Sequence, residues 1–339
     1  MALLHVDGFE LYNNSTDILL AYSNASGAIG ISTSIFRTGA RSFIVSDGAR
    51  YIETNTLPVS GATFVGGAAF RYASSLVGLQ PNFIVMEGAT VHMDCIVNSD
   101  GSISVRRGTS TTLATSAAGV IVVDTWYYIE FKVVINDTVG TYEVKVDAVS
   151  KVSGTGADTQ NGGTSTWTKA RIGSGANIDD LYICDGSGSL NNTFLGNCQV
   201  EVIRPQTDAV AAGTNSDFTP SSGSDNGAMV DETTQDGDTT YNAGTAAAQK
   251  DTYNYPALAL TGTILGIKIA PVERKTDAGV RTTCTVVRSN GADYDHADAI
   301  SPSTSYRMDS QIWETDPDTT LSWTSAGVNA AEFGLKVVS

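Results

Sequence analysis

The sequence predicts an all-β protein of two domains, and three observations carry the prediction. The chain of 339 residues has length enough for two separate cores. It holds 34 Gly but only 8 Pro, and charged residues make up just 17%. That leaves little material for the charged faces of surface helices and much for turns and β-branched strands. No window sustains apolar residues at i, i+3, i+4 and i+7, whereas turn signals recur at short intervals, as in a sandwich. Helices are therefore expected to be few and short.

Residues 1–203 read as one strand after another. "SFIVSDG" and "YIETNTL" flank a hairpin-type turn at Asp47-Gly48. "ATFVGGAAFRYA" alternates Phe64, Gly66, Ala68, Phe70 and Tyr72 on one side, with glycines where a curved strand needs room. "PNFIVMEG" and "TVHMDCIVNSDGSISVRRG" follow, the latter turning at Asp100-Gly101. "DTWYYIEFKVVINDTVGTYEVKVDAV" is the clearest pair of strands. Trp126, Tyr128, Glu130 and Lys132 take one face of its first arm, and Tyr127, Ile129, Phe131 and Val133 the other. In the second arm Tyr142, Val144 and Val146 alternate with Glu143, Lys145 and Asp147. "ARIGSGANIDDLYICDGSGS" closes the set.

Residues 204–249 are small, polar and poor in core formers, which reads as a linker or long loops. Strands resume over 250–339 in "YPALALTGTILGIKIAPVERK", "RTTCTVVRSNGADYD", "SYRMDSQIWETD" and "EFGLKVVS", giving a smaller β-sandwich. One short helical turn is expected in "TSAGVNAAEFG".

Charge excludes some partners. Against 36 acidic residues stand 20 basic ones, for a net charge of −16 and a pI near 4.4. Such a field repels nucleic acid and anionic membrane. No apolar run approaches the roughly 18 residues of a membrane span, so no membrane insertion is expected. The start, "MALLHVDGFE", lacks the basic region of a secretory signal, which points to a product assembled in the cytoplasm. Cys95, Cys184, Cys198 and Cys284 form no CxxC or Cys/His cluster, and reduced, partly buried thiols are expected rather than zinc or disulfides.

"HVDGFELYN", "DGSISVRRG", "WYYIEFKV" and "IDDLYICD" occur in the order found in concanavalin A-like (LamG-type) jelly rolls, and the first half resembles that family. The version opening on an aspartate–glycine–phenylalanine strand is similar to those of bacteriophage virion proteins. "GDTTYN", "VERKTDAGVRT", "IWETDPDT" and "AAEFGLKVV" resemble the C-terminal parts of such proteins. The resemblance implies a concanavalin A-like jelly-roll sandwich over 1–203 and a virion structural protein, assembled in the host cytoplasm. It implies a symmetric homo-oligomer, a trimer by preference, with other virion proteins as partners. Tail- or fibre-associated attachment to a host-surface glycan is the first reading within that class, and capsid decoration the alternative.

Chemistry is the remaining question. "QIWETDPDTT" places Glu314, Asp316 and Asp318 at every second position, as along the cleft strand of a sandwich glycosidase. Pro317 removes a ladder donor between the last two, however, and the stretch reads as a strand ending in a turn. Asp179 and Asp180 invite a calcium reading, but adjacent strand residues face opposite ways, so only Asp180 could serve a given site. "VDETTQDGDTTY" offers Asp231, Glu232, Asp236 and Asp238 without the spacing or closing Glu of a regular calcium loop. Ca2+ is the one ion that Asp180, Asp231, Asp236 and Asp238 would suit, and no other cofactor is expected. His5, His92 and His296 lie outside any hydrolase motif, and no G-x-S-x-G or phosphate loop occurs. Trp167 and Tyr241 sit in loop-like surroundings and are the candidates for stacking on a sugar, whereas Trp126, Trp313 and Trp323 read as core. The expectation is a protein that is not an enzyme, with a polysaccharide-degrading sandwich glycosidase as the alternative from another class.

Overall fold

Side-chain alternation, interrupted by bulges, builds the first of two compact units, Met1–Val200 and Glu201–Ser339. The computed structural model describes residues 2–45, 50–73, 76, 80–173, 175–205 and 212–339. The Asp47-Gly48 turn lies outside the described residues. In chain order the first unit carries β1 (Leu3–Asp7), the short helix α1 (Ser15–Ala21), β2 (Tyr22–Ser26), β3 (Ile29–Ser32), β4 (Ser42–Val45) and β5 (Tyr51–Thr54). Then come β6 (Thr63–Tyr72), β7 (Gln80–Glu87), β8 (Thr90–Val97), β9 (Ile103–Arg107) and β10 (Thr111–Thr115). The unit ends with β11 (Trp126–Val134), β12 (Gly140–Val146), β13 (Val149–Ala157), β14 (Lys169–Gly173) and β15 (Ala176–Cys184).

These strands form two antiparallel sheets. Sheet I has eight strands in the order β13-β12-β11-β6-β15-β4-β3, with β1 also pairing β15. Sheet II has seven, β10-β9-β8-β7-β14-β5-β2. Hairpin runs β11–β13, β7–β10 and β3–β4 pair in sequence order, whereas β6 beside β11 and β15, and β14 beside β7 and β5, join strands distant in sequence, so those connections cross between sheets as in a jelly roll. The face-to-face core is aromatic: Phe64 and Phe70 from sheet I meet Phe83 from sheet II, Phe131 packs beside Phe64, and all four are fully buried. Ile129, Phe131 and Val133 face this core, as their alternation predicts, and Tyr142, Val144 and Val146 are buried along β12. Asp100-Gly101 turns the chain between β8 and β9, with Gly101 at φ 75°. Helix α1 went unforeseen; Asn14 caps it by accepting from the amides of Thr16 and Asp17.

The glycines of β6 answer a specific need. A Cβ at Gly67 would fall inside the van der Waals surface of the Tyr182 ring, which lies over that strand on the outer side. Tyr182 in turn donates to Glu130 Oε1 at 2.6 Å, and Glu130 also accepts from the Gly196 amide. Segment 193–200 is thereby tied across the outer face of sheet I.

The second unit contains β16 (Ala212–Ser216), β17 (Thr219–Pro220), β18 (Asn242–Ala243), β19 (Lys250–Tyr253), β20 (Ile267–Ile269) and β21 (Val272–Glu273). It continues with β22 (Thr283–Ser289), β23 (Ala292–Asp295), β24 (Arg307–Met308), β25 (Gln311–Trp313), helix α2 (Ser325–Ala330) and β26 (Glu332–Val337). Sheet III has five strands, β16-β19-β26-β22-β23. One face packs Val287 and Phe333 on Trp323, Val328 and Ala331, with Trp313 against the cluster. Residues 204–249 were expected as a linker or long loops. Strand β16 instead pairs β19 in sheet III, and Asn226 donates to the buried Asp251 carboxylate at 2.8 and 3.0 Å, so the described part of the stretch is integral to this unit. Apart from β16, β17, β18 and one short 3-10 turn, the described part is long loop, as its composition predicts, but its polar side chains supply internal hydrogen bonds rather than the solvation of a linker.

Candidate functional site

The residues that sequence reading favoured for sugar and cation binding are mostly committed elsewhere. Trp167 is fully buried, edge-on to Phe64 at 5.0 Å, and its indole N–H donates to the Thr63 carbonyl at 2.8 Å. A ring without an exposed face cannot stack on a sugar, so Trp167 is a core residue. Tyr241 is 42% exposed and stands in the second unit, beside β18.

The acidic candidates are likewise occupied. Asp180 is fully buried and adopts φ 53° where β15 bulges between Asp179 and Tyr182. The bulge breaks the alternation assumed from sequence. Asp180 pairs with Arg37 and accepts from Thr38 Oγ1 and the Val200 amide, each at 2.7 Å. Asp179 accepts the Arg37, Thr38 and Asp180 amides; burial, with Asp180 beside it, pushes its carboxyl up to about 8. These bonds anchor loops and leave no open cation site. Asp238 is held by Arg274 at 2.7 Å and by the Tyr306 hydroxyl at 2.8 Å, which keep its carboxyl low. Asp236 caps Thr240 through its amide and hydroxyl. Asp231, Asp236 and Asp238 do not converge, and among the described residues no group of three or more His, Cys, Asp or Glu side chains could hold a metal ion. Asp316 accepts the Asp318 amide, and Asp318 accepts from Tyr294 and Asn290, so that run of acids closes a turn.

A different constellation is assembled by register alone. On the outer face of sheet II, Arg106 stands opposite Asp94, Asp94 opposite Ile84, Ile84 opposite Arg171, and Arg171 opposite Glu53. Thr112 extends the row beyond Arg106, and Asn24 extends it beyond Glu53. The row crosses all seven strands and spans about 29 Å at roughly 4.8 Å per step. Core residues Val105, Cys95, Phe83, Ile172 and Ile52 form the parallel row beneath it, on the opposite parity.

Each half of the row carries its own ion pair. Arg106 grips Asp94 bidentately, Nε to Oδ1 at 2.9 Å and Nη2 to Oδ2 at 2.5 Å. Burial pushes the Asp94 carboxyl up, with Arg106 pulling it the other way. Glu53 accepts from Arg171 Nε at 2.8 Å and Lys169 Nζ at 3.0 Å. Burial pushes Glu53 up, yet these two cations hold it below its usual value. Arg171 also lies over the Tyr51 ring, 4.2 Å from its centroid. Ile84, half-buried, forms an apolar floor between the two pairs. Asp94 and Glu53 are three strands apart, about 14 Å along the row, and each leans on its own cations. They are not the closely facing carboxyls of a single glycosidase centre.

None of the candidate sites drawn from the sequence includes Asp94, Arg106, Arg171 or Glu53. The available signal was parity: Asp94 and Arg106 fall on the polar phase of otherwise apolar strands, but their alignment with Arg171 and Glu53 depends on long-range register.

No protein-family model matches this chain, and no curated protein matches it. Solved structures do. Domain 4 of AbnA, an extracellular arabinanase of Geobacillus stearothermophilus solved with arabinotriose, is 14% identical with a TM-score of 0.36; the match covers 54% of this chain and 92% of that one. The alginate lyase vAL-1 of Chlorella virus is 11% identical with a TM-score of 0.35, covering 48% and 90%. The endo-β-1,4-glucuronan lyase of Trichoderma reesei is 11% identical with a TM-score of 0.33, also covering 48% and 90%. These neighbours are carbohydrate-active or carbohydrate-binding β-sandwich proteins, and the all-β sandwich reading stands on the sheets described above. The expectation of a protein that is not an enzyme is withdrawn: an alginate lyase and a glucuronan lyase are among the solved chains with a similar fold. No residue role is carried across at these identities.

Proposed function

We propose that this protein is a carbohydrate-active β-sandwich that lays a polysaccharide across the outer face of sheet II. One observation carries the reading: Arg106, Asp94, Ile84, Arg171, Glu53 and Asn24 form a single transverse row, polar at both flanks and apolar at its centre. Sugar sites combine an apolar or aromatic surface with a few well-held polar groups, and Ile84 and Tyr51 supply the surface here. The ion pairs hold the polar groups in fixed geometry before any ligand arrives, which lowers the ordering cost of binding. Both retention and chain cleavage fall within this reading. Incubating the full chain with a polysaccharide panel, while following retention and release of new chain ends, tests it. Binding that disappears on Ile84→Asp supports the reading, and a panel that the chain neither binds nor cleaves refutes it.

For the biological setting we propose a virion component at the host surface, a reading supported by the order of the quoted motifs. Detection of the chain in purified particles by mass spectrometry tests that setting, and its absence from them rejects it.

A further inference from the structure

Hydrogen-bond supply along the sheet II row is lopsided. Both oxygens of Asp94 are taken by Arg106. Glu53 Oε1 accepts from Lys169 at 3.0 Å and Ser23 at 3.3 Å, and its Oε2 accepts from Arg171 at 2.8 Å. The acceptors are therefore engaged. A guanidinium carries five N–H donors and an ammonium three, so most of the donors on Arg106, Arg171 and Lys169 remain unspent by these bonds. Their side chains keep 12%, 24% and 25% exposure, enough to be reached from solvent.

Charge follows the same asymmetry. Three cations stand against two carboxylates, a local surplus of one positive charge on a chain whose net charge is −16. A neutral glucan brings hydroxyls that donate as readily as they accept, and it gains nothing from the surplus. A carboxylate or sulfate ester brings acceptors alone, and charge-assisted bonds to guanidinium are about twice as strong as neutral ones. Arg106 and Arg171 stand three strands apart, about 14 Å, with Ile84 between them. A ligand touching both must be extended and bear repeated anions.

We infer that the polysaccharide engaged by sheet II is polyanionic, its carboxylate or sulfate groups meeting Arg106, Arg171 and Lys169. The inference rests on the sheet II reading above and narrows its ligand to a class.

The test uses the full chain against immobilised polyuronate, sulfated polysaccharide and neutral glucan, at about 0.15 M salt so that long-range repulsion is screened. The expected result is retention by an anionic polymer and none by the neutral one; which anionic polymer binds identifies the group. Arg171→Gln is expected to weaken retention about tenfold, the loss of one charge-assisted contact. Glu53→Gln is expected to strengthen it several-fold, because it removes a competing anion from the same face. Opposite signs from two changes in one ion pair separate charge recognition from damage to the fold. Lys169→Gln stands in if Arg171→Gln does not fold, and Lys145→Gln on sheet I is expected to change nothing. Equal binding of neutral and anionic polymers overturns this inference but leaves the sheet II reading intact. Binding of none overturns both. Loss of retention in Glu53→Gln with unchanged unfolding overturns the polyanion assignment, and equal capture by a single-stranded oligonucleotide overturns the polysaccharide as its ligand.

Discussion

Trp167→Ala distinguishes a core tryptophan from a sugar platform. The side chain is fully buried, packed edge-on against Phe64 at 5.0 Å and bonded to the Thr63 carbonyl at 2.8 Å. Truncating a buried Trp costs about 3–5 kcal/mol, including the cavity left behind. In a unit of 200 residues, each kcal/mol lowers the melting temperature by roughly 2–4 °C, so the first unit should melt roughly 6–20 °C lower. Trp167→Phe keeps most of the ring but leaves the Thr63 carbonyl without its indole donor, and should cost about 1–2 kcal/mol. Calorimetry of the full chain resolves the affected transition, with Tyr241→Ala as the exposed comparison, expected to stay within about 0.5 kcal/mol of the parent. A Trp167→Ala protein with an unchanged midpoint and abolished glycan binding would refute this reasoning and restore the residue as a ligand platform.

Other consequences follow from packing, titration and redox state. Gly67→Ala should cost about 1–3 kcal/mol, because the new methyl displaces the Tyr182 ring and with it the Glu130 tether; a melting temperature equal to the parent's would contradict the close approach. Burial pushes Glu273 up from 4.5 to about 7. Its folded-state value lies above the unfolded one, so its stabilising contribution is complete below about 4.5 and lost as pH rises towards 7. Glu273→Gln should therefore flatten the decline of the second unit's stability over that window, by about 2–3 kcal/mol at its upper end; parallel pH profiles for the two proteins would sink the idea. All four cysteines are free, and burial raises Cys95, Cys284 and Cys198, the last to about 12. Thiol reagents should react slowly with the native chain and fully after denaturation, and a mass gain on reduction would show the thiols misassigned.

What could be read from the sequence was whatever depends on local periodicity. The two faces of β11 and β12 follow from alternation in "WYYIEFKVV" and "TYEVKV", and the Asp100-Gly101 turn from its dipeptide. Asp180 was misjudged because one extra residue in β15 re-aims its carboxylate, and a bulge leaves no mark in a period-two pattern. Trp167 was misplaced because its Gly- and Ser-rich neighbours look like a loop, while its own ring fills a gap beside Phe64. The row on sheet II was invisible for a topological reason: Glu53 and Arg171 are 118 residues apart, and only pairing through β14 and β5 sets them side by side.

The most direct measurement follows the arginine Nε–H resonances during titration with an anionic oligosaccharide, with Arg106 and Arg171 assigned from single Arg→Lys variants. The account predicts saturable shifts at Arg106 and Arg171, while Arg274 and Arg281 of the second unit stay still. Shifts confined to the second unit, with Arg106 and Arg171 unmoved at saturation, would contradict it.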